Sequence, residues 1–136
     1  MYETFEHTAD LGLRVRAPEL NQLFVEAAQA LFSAIVDDLE TIEPRQRIDV
    51  SLHGDDAGYL LFDWLNELLY RFDTEHLLFG KFEVRIDNQN LRASAWGEPL
   101  YPGRHSLAHE VKAITYHGLL VEKEKDGWLA EVIVDI

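Results

Sequence analysis

The segment His7-Thr8-Ala9-Asp10-Leu11-Gly12 places polar residues between two short strands. An aspartate two residues before a glycine is typical of a turn, because the carboxylate bonds the local backbone and glycine tolerates positive φ. A carboxylate is also a ligand that hard divalent cations prefer, and a nearby histidine can serve as a supporting donor or a further ligand. The segment is therefore either a plain turn or part of a metal site, with Asp10 as the ligand and His7 as its neighbour.

The last residues of the chain bring two carboxylates side by side. Val132, Val134 and Ile136 alternate with other residues up to the final position, so a packed strand would hold the α-carboxylate of Ile136 close to the side chain of Asp135. These two groups with one further aspartate would form an oxygen-rich site for Ca²⁺ or Mg²⁺. The alternative is a strand that ends with a solvated aspartate.

A pair of histidines has the spacing of zinc ligands. His105 and His109 would share one face of a helix, as the i, i+4 ligands of zinc enzymes do. No third ligand follows in a recognisable motif, and the glutamate of the metalloprotease pattern is missing. The pattern favours a loop with exposed histidines.

Two other polar groups are explained by ordinary surface positions. Lys112, Tyr116 and His117 could take part in acid–base chemistry or contact phosphate, but the polar face of a strand is the favoured explanation. Asn66 and Glu67 fit the solvent side of an amphipathic helix. The sequence contains neither a glycine-rich phosphate loop nor a Gly-x-Ser-x-Gly elbow, so nucleotide hydrolysis by this chain alone lacks its usual groups.

Composition and charge exclude several classes of function. The 136 residues contain no cysteine, which excludes disulfides, thiolate metal sites and thiol nucleophiles. With 12 lysines and arginines against 25 aspartates and glutamates, the net charge of −13 would repel nucleic acid, so unaided RNA binding is not expected. No apolar run is long enough for a membrane span and the first residues do not resemble a signal peptide, which predicts a cytoplasmic protein with no membrane segment.

The hydrophobic period changes along the chain between that of strands and that of helices. Apolar residues recur at steps of three and four over residues 20–35 and 61–72, which predicts two amphipathic helices. Alternating patterns predict strands over residues 2–7, 12–16, 47–53, 78–86, 91–97, 111–117, 119–123 and 129–136. These elements predict one α+β domain, residues 1–136, in which a mostly antiparallel sheet packs against the two helices.

Four stretches, taken together, resemble the archease family. They are the His7–Gly12 segment, Trp64-Leu65-Asn66-Glu67-Leu68-Leu69-Tyr70, Glu110-Val111-Lys112-Ala113-Ile114-Thr115-Tyr116-His117, and Val134-Asp135-Ile136. They follow one another in the order of the family and span nearly the whole chain. The resemblance implies a sheet with two helices, related to the strand–helix–strand–strand modules.

The same resemblance implies a function. Archeases are accessory proteins without known catalysis that activate the GTP-dependent RtcB-type RNA ligase of tRNA splicing and RNA repair, promoting its guanylylation and multiple turnover. The family binds a divalent cation, seen as calcium, through residues that correspond to Asp10, Asp135 and the C-terminal carboxylate of Ile136. RNA is then contacted only through the ligase. Lys112 and His117 match the family motif, without an assigned role.

Two other functions remain open from the sequence. A metal-dependent phosphohydrolase could use the same carboxylates with His7 as its base. A general chaperone or adaptor of nucleic-acid enzymes would bind several unrelated proteins without depending on the metal site.

Overall fold

Two α-helices and eight strands build the structure, a computed structural model that describes residues 1–7 and 10–136, and the side chains of all of these except Glu6 and His7. In chain order the elements are β1 (Tyr2–His7), β2 (Asp10–Ala17), α1 (Leu20–Ile35), a 3-10 turn (Leu39–Thr41), β3 (Gln46–His53), α2 (Ala57–Glu75), β4 (Leu77–Asp87), β5 (Asn90–Pro99), β6 (Ala113–Ile114), β7 (Leu120–Glu124) and β8 (Gly127–Asp135).

The strands form two antiparallel sheets in the described part of the chain. The first has the order β1-β2-β8-β6, with β7 also pairing β8, and the second has the order β3-β5-β4. The predicted α+β class is confirmed, with both helices packed on antiparallel strands. Sequence patterns did not show that the strands divide into two sheets. The division follows from β8, whose edges are filled by β2 on one side and by β7 and β6 on the other.

The helices bury the apolar stripes that the sequence predicts. The buried residues of α1 recur at steps of three and four, and α1 packs mainly on β4 and β2. In α2, Trp64 is fully buried and its indole Nε1–H donates to the carbonyl oxygen of Phe24 at 3.0 Å, which joins the two helices. Apolar side chains of both helices and both sheets meet in one hydrophobic cluster. No helix of the described residues combines the length and the apolar character needed to cross a bilayer.

The segment after β5 closes the C-terminal end of α1. The backbone N–H groups of Ala108 and His109 donate to the carbonyl oxygens of Ile35 and Ala34 at 2.8 and 3.0 Å. The last carbonyls of a helix have no partner within the helix itself. This irregular segment is therefore attached to the core through the carbonyl oxygens at the end of α1 that have no partner within the helix.

The strand predicted over residues 111–117 is shorter than expected. β6 comprises only Ala113–Ile114, opposite the last two positions of β8. β7 occupies the same edge of β8 further back, where Leu120 lies opposite Glu131. Alternation within the sequence could not reveal this competition for one strand edge.

Candidate functional site

Asp10 and Asp135 lie directly opposite each other in the five-stranded sheet. Asp10 begins β2, Asp135 ends β8, and the antiparallel register makes them Cα partners. Residues opposite each other in such a pair have Cβ atoms about 4.5–5.5 Å apart. The strand register therefore brings together two carboxylates from opposite ends of the sequence.

The two carboxylates belong to the face of the sheet that points away from the helices. Their neighbours Leu11 and Val134 belong to the hydrophobic core, and successive residues of a strand alternate between its two faces. Both aspartates are half-buried. Because like charges directly opposite each other destabilise a sheet, a positive ion at this position would stabilise the pair.

The residue that follows β8 is held in a defined position. The side chain of Ile136 is partly buried and packs against the core. The carbonyl oxygen of Asp135 accepts a hydrogen bond from the backbone N–H of Lys112 at 2.7 Å, and Ala113 lies opposite Asp135 on β6. The end of β8 is thus paired on both sides, by β2 and by the segment that enters β6.

β1 completes this end of the sheet. The backbone of His7 pairs with Asp10 in the register, while the side chain of His7 and residues 8–9 lie outside the described part of the structure. The ring of Phe5 lies across Gly12, which follows Asp10 by two residues. A Cβ added to Gly12 would come within 2.2 Å of the Phe5 Cζ. Glycine at this position therefore leaves room for the aromatic ring beside Asp10.

Arg14 lies on the same face of β2, farther from the aspartates. Its Nη2 is 2.8 Å from Glu131 Oε2 and its Nη1 is 3.2 Å from Glu3 Oε1, while its guanidinium lies 4.6 Å from the centroid of the Phe5 ring. The hydrogen bonds that Arg14 donates to Glu3 and Glu131 raise the pKa of Arg14. This arginine is held by its own carboxylate partners.

The donor atoms at this end of the sheet suit a hard cation. Among the side chains that the structure describes, which leave out residues 6–9, no group of three or more His, Cys, Asp or Glu could hold a metal ion. A site built on Asp10 and Asp135 would need a further ligand, and the α-carboxylate of Ile136 is the one that the sequence predicts. Such a set contains oxygen atoms only, which fits Ca²⁺ or Mg²⁺ rather than a softer metal.

The prediction of exposed histidines is wrong for His105, which is only 3% exposed. Its Nε2 is 3.0 Å from Glu98 Oε2, and its Nδ1 accepts a hydrogen bond from the backbone N–H of Tyr101 at 2.9 Å. These contacts select the neutral tautomer with its hydrogen on Nε2. His109 is exposed and residues 105–109 form no helix, so the two histidines do not make a zinc pair.

Glu98 is the centre of a buried network that sequence patterns did not reveal. It is fully buried, receives two hydrogen bonds of 2.6 Å from Arg104, and accepts another from the backbone N–H of Glu43 at 2.8 Å. The hydrogen bonds from Arg104 are the main reason that the pKa of Glu98 falls to about 2, although burial acts in the opposite direction. In the sequence, the signal for this network is a charged residue, Glu98, next to apolar residues at the end of β5.

The remaining polar residues of the motifs lie on the surface, as predicted. Lys112 is exposed, and only its backbone is placed next to Asp135. On α2, Asn66 is exposed, and Glu67 accepts a hydrogen bond from Arg71 at 3.1 Å, an i, i+4 pair typical of a helix surface.

Tyr116 belongs to an aromatic cluster with Tyr59 and Phe62 of α2. The ring centroids of Phe62 and Tyr116 are 3.9 Å apart in a stacked arrangement, and those of Tyr59 and Tyr116 are 5.6 Å apart. Tyr59 and Tyr116 are each 56% exposed, and His117 is exposed in the turn that follows. Exposed aromatic surface of this kind often marks a contact with another molecule.

Comparisons with known proteins agree with this structure. Residues 2–136 match the Archease protein family (MTH1598/TM1083). The Protein archease of Methanopyrus kandleri is 42% identical over 139 residues, which cover 99% of each chain. The Protein archease of Pyrococcus furiosus is 42% identical over 140 residues, covering 99% of this chain and 98% of the relative.

Two solved structures share the fold. The solution structure of Methanobacterium thermoautotrophicum protein 1598 has a TM-score of 0.88 and 37% identity, and the match covers 99% of this chain and 98% of the other. The crystal structure of a Thermotoga maritima archease, described as a possible chaperone, has a TM-score of 0.69, covers 100% and 98%, and at 19% identity shows the fold alone. On the match over nearly its whole length and on these relatives, the chain belongs to the archease family.

Proposed function

We propose that this protein is a non-catalytic accessory factor that activates a GTP-dependent RtcB-type RNA ligase in tRNA splicing and RNA repair. In this role it promotes guanylylation and multiple turnover of the ligase, and RNA is contacted through the ligase. Membership of the archease family supports the role. The observation that carries the proposal is the direct pairing of Asp10 with Asp135, because it places two residues of the expected site together.

The proposal includes a divalent cation, with calcium as the first choice, held by Asp10, Asp135 and the α-carboxylate of Ile136. A bound cation supplies positive charge and coordination positions that an oxygen atom of a partner can fill. The strands position the ligands. β2 and β8 keep the two aspartates opposite each other, and the Lys112 N–H holds the end of β8.

Three features support a protein partner. The Thermotoga maritima neighbour is described as a possible chaperone. Tyr59 and Tyr116 expose aromatic surface on this chain. The net charge of −13 favours association with a positively charged protein surface and disfavours direct association with RNA.

Replacing either aspartate of the pair should abolish most of the stimulation. We expect Asp10→Asn and Asp135→Asn each to lower the stimulation of multiple-turnover ligation by about 10-fold or more. Each substitution replaces an anionic ligand with a neutral amide of nearly the same size. The measurement is ligation of RNA with a 2′,3′-cyclic phosphate by a catalytic amount of the cognate ligase with GTP. Asp87→Asn, an exposed aspartate of the other sheet, is the matched control and should stimulate fully.

Several outcomes would contradict this proposal. Full stimulation by folded Asp10→Asn and Asp135→Asn variants would show that the pair has no role. Hydrolysis of a phosphoester by the purified wild-type chain without ligase would identify a phosphohydrolase. Protection of several unrelated proteins from aggregation, equally by wild type and Asp10→Asn, would favour a general chaperone.

Moving the carboxylate of Ile136 should weaken cation binding. We expect a Gly-Ser-Gly extension after Ile136 to lower the affinity for Ca²⁺ by about 10-fold or more, since it removes one of the three anionic ligands. Isothermal titration calorimetry measures the affinity. Ile136→Leu leaves the terminal carboxylate in place and should bind as the wild type does; equal affinity of the extended chain would exclude this carboxylate as a ligand.

A further inference from the structure

A groove of about 400 Å³ lies between the start of α2 and the residues that lead into β7. Tyr59, Tyr116, Leu119 and Val121 line it together with Asp56. Leu119 and Val121 also pack against the hydrophobic core, so part of the lining is fixed by the fold. The groove therefore has a defined shape on the surface.

The two tyrosines expose aromatic surface to a ligand. Tyr59 and Tyr116 are each 56% exposed, and stacking on Phe62 holds the Tyr116 ring in place. The face of an aromatic ring attracts the cations of arginine and lysine side chains. The aromatic cluster is thus suited to a ligand that is partly apolar and positively charged.

The two chain segments that form the groove are acidic. Residues 54–70 and 113–122 contain no lysine or arginine. Asp55 has a side chain 85% exposed, and Asp63 is exposed one turn of α2 after Tyr59. The groove therefore has negative charge around it and no cation from these segments to neutralise it.

Gly58 is one of the residues that line the groove. A Cβ added to Gly58 would lie 3.5 Å from Asp56 Oδ1 and 3.8 Å from Leu119 Cδ2, which are ordinary contacts. Alanine is also a better helix former than glycine. The packing therefore does not require glycine at this position in the first turn of α2.

We infer that this groove binds a basic segment of the partner ligase, with an arginine or lysine side chain against Tyr59 and Tyr116 and its charge close to Asp56 and Asp63. The inference rests on the proposed function for the identity of the partner. Charge complementarity favours a basic protein segment over a second copy of this chain, since each copy carries −13, and over nucleic acid, since phosphates would be repelled.

Binding of the full chain to the cognate ligase, measured by biolayer interferometry, tests this inference. Tyr59→Ala and Tyr116→Ala should each weaken binding about ten-fold or more. Tyr70→Ala removes a tyrosine of the same helix that is 58% exposed and should bind as wild type does. Asp56→Asn combined with Asp63→Asn should weaken binding and reduce its dependence on salt, and because asparagine caps a helix as well as aspartate does, α2 stays intact.

The outcomes separate this inference from the proposed function. Unchanged ligase binding by tyrosine variants with wild-type melting temperatures overturns the inference, and so does a dimer of this chain that these variants dissociate. If Asp10→Asn binds the ligase with wild-type affinity but no longer stimulates it, the inference is supported, because docking then does not depend on the carboxylate pair. Tight binding without stimulation by the wild type contradicts the proposed function alone, and no binding by the wild type overturns both.

Discussion

Gly97→Ala is expected to lower the free energy of unfolding by about 3 kcal/mol or more, or to prevent folding altogether. A Cβ at position 97 would lie 1.7 Å from the carbonyl oxygen of Leu78 and 2.8 Å from the Cα of Phe79, both backbone atoms of the paired strand β4. β5 cannot move away from β4, because β3 pairs with its other edge. The register shift between Phe79 and Lys81 brings the two backbones together at this point.

Thermal and urea unfolding followed by circular dichroism measure this effect. Gly103→Ala is the matched control, because an added Cβ there meets no atom within 4 Å. It should change the free energy of unfolding by no more than about 0.5 kcal/mol. An unchanged melting temperature for Gly97→Ala would contradict the close approach of β4 and β5.

Glu98→Gln is expected to cost about 3 kcal/mol of stability at neutral pH. Glutamine removes the charge that faces Arg104 and brings an NH₂ group toward donors that include the Glu43 N–H and the Nε2–H of His105. Because Glu98 is fully buried, water cannot replace the lost hydrogen bonds. Glu43→Gln is the control, since the Glu43 side chain is 48% exposed and should contribute about 1 kcal/mol or less.

The same network predicts how stability depends on pH. The pKa of Glu98 is lowered from 4.5 to about 2 in the folded protein. A lowered pKa stabilises the folded state fully above pH 4.5, and this contribution of about 3 kcal/mol is lost as the pH falls from 4.5 toward 2. Glu98→Gln should therefore lose less stability than the wild type over this range. Melting temperatures at pH 7 and pH 3 provide the comparison, and a parallel decrease in both proteins would contradict the prediction.

The local order of elements was predictable because it depends on short-range periodicity. The apolar stripes over residues 20–35 and 61–72 predict two helices that the structure confirms. The strand ends were less predictable. Residues 111–117 alternate like a strand, but β7 already fills most of the β8 edge that they would need.

The candidate site was predictable in its residue types but not in its geometry. Two weak signals, Asp10 in a polar segment and Asp135 beside the chain end, each allowed an ordinary explanation from local sequence alone. The register of β2 with β8 makes them opposite residues. The buried Glu98–His105 contact was missed, because nothing in the spacing of these residues indicates that one carboxylate would meet Arg104, His105 and the Glu43 backbone together.

The α+β class, the two helices, the acidic charge and the resemblance to archeases could all be predicted before folding was considered, because composition, periodicity and motifs depend on the residues themselves and on their near neighbours in the chain. Three contacts required the folded chain to be seen: Asp10 lies opposite Asp135, His105 is buried against Glu98, and Tyr59 packs against Tyr116 beside a groove. These contacts join residues that belong to different strands, helices or connecting segments. Their distances depend on strand register and helix packing, which no local pattern specifies.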